Sequence, residues 1–181
     1  MPLVKPAVTI LHGPTSAGKS RIAMALQDSA SVPAFHVSLD AFVTMSRRKD
    51  MRSADEQQLA YRLHCENMRA TLRRLVQSDF EVILDTVLRD EDELQACLKV
   101  LSVRRICLVG VQAPLGVLEK REQDRGDRGI GMAREQFADP AFARSYDLVV
   151  DTSQVSPKGA ARAIRDFMGT HNGPNCNSGE G

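Results

Sequence analysis

The sequence is short of paired cysteines, long apolar runs and surplus charge, and each shortage closes off a class of protein. Its four cysteines, Cys65, Cys97, Cys107 and Cys176, are scattered, with no C-x-x-C pair and no matching histidine spacing. A zinc site or disulfide framework therefore has no support, and buried or idle thiols are the default. No apolar stretch approaches the roughly 20 residues needed to cross a bilayer. Met1-Pro2-Leu3-Val4-Lys5 leads into a strand without a signal-peptide pattern, so a cytoplasmic protein with no membrane partner is expected. Lys and Arg number 24 against 23 Asp and Glu, a net charge of +1, which provides no field for holding nucleic acid. No D-x-x-G follows the third expected strand and no N-K-x-D occurs, which argues against a GTPase. The four histidines are dispersed, and His12 reads as a strand-end packing residue in preference to a ligand contact.

What remains is an ordinary globular composition, 43% hydrophobic and 26% charged over 181 residues, which suits one domain with a lid or tail. Within it stands Gly13-Pro14-Thr15-Ser16-Ala17-Gly18-Lys19-Ser20, the G-x-x-x-x-G-K-[ST] pattern of a phosphate-binding loop. The apolar, β-branched run Ala7 to Leu11 before it predicts a buried strand, and Lys19 to Gln27 after it has helical spacing. The glycines let the backbone bend so that successive N–H groups face a polyphosphate at the helix N-terminus. Lys19 would reach the outer phosphates, and Ser20 would offer a hydroxyl to Mg²⁺, an ion that binds through substrate phosphates and few protein oxygens.

The rest of the chain alternates strand and helix. Ala34 to Asp40 reads as a second strand ending in a carboxylate. That end would face the ligand crevice of an open α/β sheet, making Asp40 either a general base or the N-cap of a following helix. Ala41 to Ala54 is expected to be a loop or short helix over the crevice, its Arg47-Arg48-Lys49 triplet read as a solvated face. Asp55 to Gln77 predicts a long helix with Leu59, Leu63, Met68, Leu72 and Leu75 or Val76 turned toward the sheet. Phe80 to Asp85 is a third strand of Walker B form, whose Asp85 either holds magnesium or bonds loop N–H groups. Asp90 can cap a helix from Glu91 to Leu101; Arg105 to Val111 is a fourth strand, and a helix begins near Pro114.

The segment from Arg121 to Met132 carries three glycines among dense charge, either a hinged lid whose arginines close over transferring phosphates or a surface of mutually paired charges. The lid is the preferred reading, spanning about 121–133. A fifth strand, Asp147 to Thr152, leads to a loop, Thr152 to Val155, placed to touch an adenine base, and Lys158 to Met168 forms a last helix. Residues 169–181, rich in Gly, Asn and Ser, read as a disordered tail beyond a kinase domain of residues 1–168. Five strands alternating with helices imply an α/β fold with a mostly parallel sheet.

The P-loop, Val37-Ser38-Leu39-Asp40, Val82-Ile83-Leu84-Asp85, and Arg125-Gly126-Asp127-Arg128 with Gly131-Met132-Ala133 together resemble the chloramphenicol phosphotransferase-like P-loop kinases, related in fold to nucleotide and shikimate kinases. The similarity runs to about Val155. It implies ATP-dependent phosphorylation of an acceptor hydroxyl, with Asp40 matching the family's catalytic base and Arg125 and Arg128 its lid arginines. The expected reaction is transfer of the γ-phosphoryl group of Mg·ATP to a small hydroxyl-bearing molecule, a chloramphenicol-like acceptor among the candidates. Two alternatives stay open: a nucleotide, sugar-nucleotide or RNA-end acceptor, and a non-catalytic module that binds a partner in its ATP state.

Overall fold

The computed structural model describes residues 6–125 and 131–170. Five strands, β1 (Val8–His12), β2 (Ala34–Ser38), β3 (Glu81–Thr86), β4 (Ile106–Gln112) and β5 (Leu148–Asp151), form one sheet in the order β2-β3-β1-β4-β5. Every pairing is parallel. The helices are α1 (Lys19–Asp28), α2 (Leu39–Val43), α3 (Ala54–Leu75), α4 (Glu91–Leu101), α5 (Leu115–Arg125), α6 (Met132–Phe137) and α7 (Pro157–Thr170), with short 3₁₀ turns at Arg48–Asp50 and Pro140–Phe142. The α/β sheet expected from the strand and helix alternation is thus present, flanked by helices.

Successive strand residues point to opposite faces, and this divides the core in two. Leu11, Ile83, Val109, Val111 and Val150 pack with Ile22 and Leu26 of α1 and Ile164 of α7. Val8, Ile10, Val82, Leu84 and Leu108 pack with Met68 and Leu72 of α3 and Leu94 and Leu101 of α4. Because both faces are covered, the strands read as apolar runs, which made them visible in the sequence. Ser53 and Asp90 cap α3 and α4 by accepting from the Glu56 and Glu93 N–H groups, the second as expected.

The long helix departs from expectation on one point. Leu59 and Leu63 are exposed; the buried stripe continues back from Met68 through Cys65 and His64. At 100° per residue, Leu63 lies about 140° from Met68, and Leu59 about 180°. The five-residue gap between Leu63 and Met68 broke the stripe there. His64 makes an internal contact on this half of the helix, its Nε2 lying 2.7 Å from Ser46 Oγ.

Candidate active site

Parallel pairing brings the carboxyl ends of all five strands to one edge, and β1 sits at its centre, where the chain passes from the β2–β3 side to the β4–β5 side. That is where ligands collect in open α/β sheets. A cleft of about 360 Å³ opens there, within the range of ligand pockets, and the P-loop forms its floor.

β1 delivers the chain to the loop at His12, and α1 takes it away at Lys19. A Cβ on Gly13 would meet Val111 O at 2.1 Å, so the loop passes β4 only because residue 13 lacks a side chain. Gly18, at φ 94°, supplies the left-handed turn into α1. Ser16 makes a second left-handed bend at φ 60°, uncommon for a residue with a Cβ.

Four side chains grip the loop. Lys19, buried, donates to Gly13 O (3.0 Å) and Pro14 O (2.8 Å). Thr152 Oγ1 donates to Ala17 O at 2.9 Å. Arg121 donates to Thr152 Oγ1 (2.8 Å) and Thr152 O (2.9 Å), with a longer contact to Ser16 O. The Thr15 N–H donates to Gln136 Oε1 at 2.6 Å. Ser16 Oγ, by contrast, is buried and has no hydrogen-bond partner among the described residues. A buried hydroxyl left over in a loop held open this way is what an incoming phosphate oxygen satisfies, and the residues present fit a polyphosphate.

At the base of the cleft Ser20 Oγ donates to Asp85 Oδ2 at 2.6 Å, and His36 Nε2 lies 3.4 Å from the same oxygen. Burial pushes the Asp85 carboxyl upward, but the His36 and Ser20 contacts and the nearby Lys19 ammonium outweigh it and hold it below the usual carboxylate range. An ionised carboxylate beside the P-loop hydroxyl is a donor set that suits Mg²⁺ carried by a nucleotide. Among the described residues no group of three His, Cys, Asp or Glu side chains could hold a metal ion alone.

Asp40 requires a correction of position. It does not end β2, which stops at Ser38; it lies in the first turn of α2, an exposed residue lining the cleft beside Leu39. Nor is it the N-cap, which is Ser38. The chain turns into a helix two residues earlier than the apolar pattern suggested because Leu39 and Phe42 bury themselves in the α3 side of the core. Ser38 pairs in register with Asp85, so Asp40 and the Ser20–Asp85 pair rise from neighbouring strand ends into one cleft.

Of the residues assigned to a lid, Arg121 and Arg125 belong to α5 and line the cleft, Arg125 exposed. Arg128 lies outside the described residues, as does the expected tail from 171 on; Gly169 and Thr170, read from the sequence as the start of that tail, instead extend α7. Glu122 is buried and accepts from Gly131 N (2.8 Å) and Ala133 N (2.7 Å), tying the start of α6 to α5. The basic triplet is engaged locally: Arg47 pairs with Asp50 at 2.8 Å and Arg48 donates to Gln57 at 3.0 Å, which fits the solvated-face reading.

Val155 and Pro157 complete the wall beyond Thr152, where an adenine contact was expected. His12 does not line the cleft; it is buried among Leu88, Phe142 and Tyr146. Reading the sequence missed Arg121 as a loop anchor, and missed His36, Glu122 and Gln136 altogether. His36 was detectable as a polar residue set between the apolar Phe35 and Val37 of its strand. Nothing local distinguishes Gln136 from a surface glutamine.

The family described as chloramphenicol phosphotransferase-like protein matches residues 6–169. A provisionally designated O-phosphotransferase of Mycobacterium tuberculosis (strain H37Rv) is 25% identical over 179 residues, covering 87% of this chain and 80% of that one. Among solved structures, a provisionally assigned kinase from Chloroflexus aurantiacus superposes with a TM-score of 0.70 at 20% identity, covering 93% of this chain and 98% of that one. The APS kinase of Mycobacterium tuberculosis, solved with AMPPNP and APS, superposes with a TM-score of 0.60 at 17% identity, covering 92% and 99%. These two share the fold.

Proposed function

The chain belongs to the chloramphenicol phosphotransferase-like family, and from that premise we propose that it transfers the γ-phosphoryl group of ATP to a hydroxyl of a small molecule, chloramphenicol-like alcohols being the first candidates. The observation that carries the reading is the shared cleft: P-loop on its floor, Ser20 hydrogen-bonded to Asp85 at its base, and Asp40 on its rim.

In this reading the loop amides and Lys19 bind the phosphates, Lys19 leaving the Gly13 and Pro14 carbonyls to do so. Ser20 and Asp85 would hold Mg²⁺, which supplies charge neutralisation on phosphate oxygens when bound. Asp40 orients the acceptor hydroxyl and takes its proton as the acceptor oxygen bonds to the γ-phosphorus and the bond to the departing ADP oxygen breaks. Arg125, with Arg128 of the lid, neutralises charge on the transferring group. Arg121 and the Thr152 to Val155 loop flank the base of the nucleotide.

Local pairing of Arg47 and Arg48 gives no support to the alternative of an acceptor held by its phosphates. The discriminating experiment is Asp40→Asn. Binding of Mg·AMPPNP stays at the wild-type level, while phosphotransfer to the acceptor falls by about 10²- to 10⁴-fold. Undiminished transfer by this variant would remove Asp40 as the base.

A further inference from the structure

Gln136 sits on α6, outside the chemistry just described, but its buried side chain reaches the backbone of the P-loop at Thr15. We propose that Gln136 is a positioning residue for the phosphate cradle: it fixes the Pro14–Thr15 peptide plane by holding the Thr15 amide with an uncharged acceptor. The inference rests on the nucleotide-binding reading above.

In a trans peptide the C=O and N–H point in opposite directions. Here the Pro14 carbonyl accepts from Lys19 Nζ at 2.8 Å, and the Thr15 N–H on the other side donates to Gln136 Oε1 at 2.6 Å. The plane is gripped at both ends. When Lys19 leaves for a phosphate, one grip is lost and Gln136 keeps the plane from turning. A turned plane would break both contacts and shift the left-handed bend at Ser16 that follows, loosening the cradle. The contacts of Thr152 and Arg121 cannot substitute, because they engage the carbonyls of Ala17 and Ser16 further along the loop.

Gln136 is itself held in place. Glu122 binds the Gly131 and Ala133 N–H groups at the start of α6, Ala133 is buried in the core, and Arg89 pairs with Glu135 at 2.7 Å on the adjoining helix position. The chemistry also explains why the residue is an amide. A glutamate would accept the same N–H, but would set a negative charge beside a site for polyphosphate, where like charges repel by an amount worth about tenfold or more in affinity at a protein surface.

The test combines hydrogen exchange of individual amides with titration of Mg·AMPPNP, on the wild type, Gln136→Met and Gln136→Glu. The wild-type Thr15 amide is expected to be protected. Gln136→Met, similar in shape but without the acceptor, loses that protection and binds Mg·AMPPNP about three- to tenfold more weakly. Gln136→Glu keeps the Thr15 protection while losing about tenfold or more in affinity, a loss that shrinks with added salt. In both variants the Leu108 amide, which donates to Asp147 within the sheet, stays protected. Wild-type affinity in Gln136→Met with the Thr15 amide still protected overturns the inference. So does loss of protection that spreads to Leu108, which would mark a general packing role. Failure of the wild type itself to bind Mg·AMPPNP removes the nucleotide reading first, and the inference with it.

Discussion

His12 shows how a single side chain beside the P-loop can serve the fold and not the chemistry. Its Nε2 lies 2.7 Å from Leu88 O and its Nδ1 2.9 Å from the Tyr146 hydroxyl. A carbonyl can only accept, so Nε2 carries the proton and Nδ1 accepts from Tyr146. Burial holds the pKa down to about 4, against 6.5 for the free side chain. The folded protein therefore keeps His12 neutral where the unfolded chain would protonate it. Its contribution to stability is complete above about pH 6.5, falls as pH drops through the window between 6.5 and 4, and is gone below it. The loss amounts to about 3 kcal/mol. Urea melts at pH 7.0, 5.5 and 4.5 should show the acid slope of the wild type exceeding that of His12→Gln by about one proton; equal slopes would contradict the assignment. The packing reading preferred for His12 from the sequence agrees with this environment. Lys19, Ser20 and Asp85 were legible because they belong to the loop motif or to a strand end, whereas Asp40 lies two residues beyond the end of β2, in α2. Gln136 and Arg121 stayed invisible, because what gives them a role is contact with a loop more than 100 residues away in the chain.

Among the elements, α7 depends on a polar lock that apolar periodicity cannot reveal. Arg165 donates to Leu26 O (2.7 Å) and Ser29 Oγ (3.1 Å) at the end of α1, and pairs with Glu81 (3.1 Å), buried at the start of β3. Removing the cation would leave Glu81 buried and uncompensated. Arg165→Met is expected to destabilise by about 2–4 kcal/mol, and the double variant Arg165→Met, Glu81→Leu to recover most of the loss. Denaturant midpoints of the three proteins check this; a double variant less stable than Arg165→Met would show that the pair itself is stabilising. Arg104 plays a comparable part: its buried guanidinium donates to Val76 O (2.9 Å), Phe80 O (2.6 Å) and Ser78 O, closing the turn between α3 and β3. In the sequence that turn was legible only as the break at Ser78-Asp79. Helices α1, α3, α4 and α7 were foreseen to within two residues at either end. The inward face expected for α3 held from Met68 onward but not before it, where Leu59 and Leu63 took the eye and His64 and Cys65 took the buried positions. Burial of a histidine paired to Ser46 is a tertiary fact with no helical period.

For the whole molecule, the parallel sheet was legible because both faces of its central strands β3, β1 and β4 are buried, so that each announces itself as an apolar run between helices. The order of strands was not, since an apolar run carries no mark of its neighbour. Placing β1 between β3 and β4 is what turns a phosphate-binding loop into the centre of a cleft, with Asp85 on one adjoining strand and the Val111 backbone on the other. Among the described residues no helix is long and apolar enough to cross a membrane. The segment from Asp40 to Ala54 was the least legible region, and the structure resolves it into α2, a 3₁₀ turn and a connection to α3. The proposed function belongs to the molecule as a whole: transfer of a phosphoryl group from ATP to an alcohol in this cleft. The measurement that tests it most directly is ³¹P NMR of Mg·ATP incubated with the protein and each member of a panel of hydroxyl compounds that includes chloramphenicol. The account predicts a new phosphate-monoester resonance with one class of acceptor, growing in step with ADP and absent with Asp40→Asn. ATP turnover yielding inorganic phosphate alone, at a rate no alcohol alters, would contradict it.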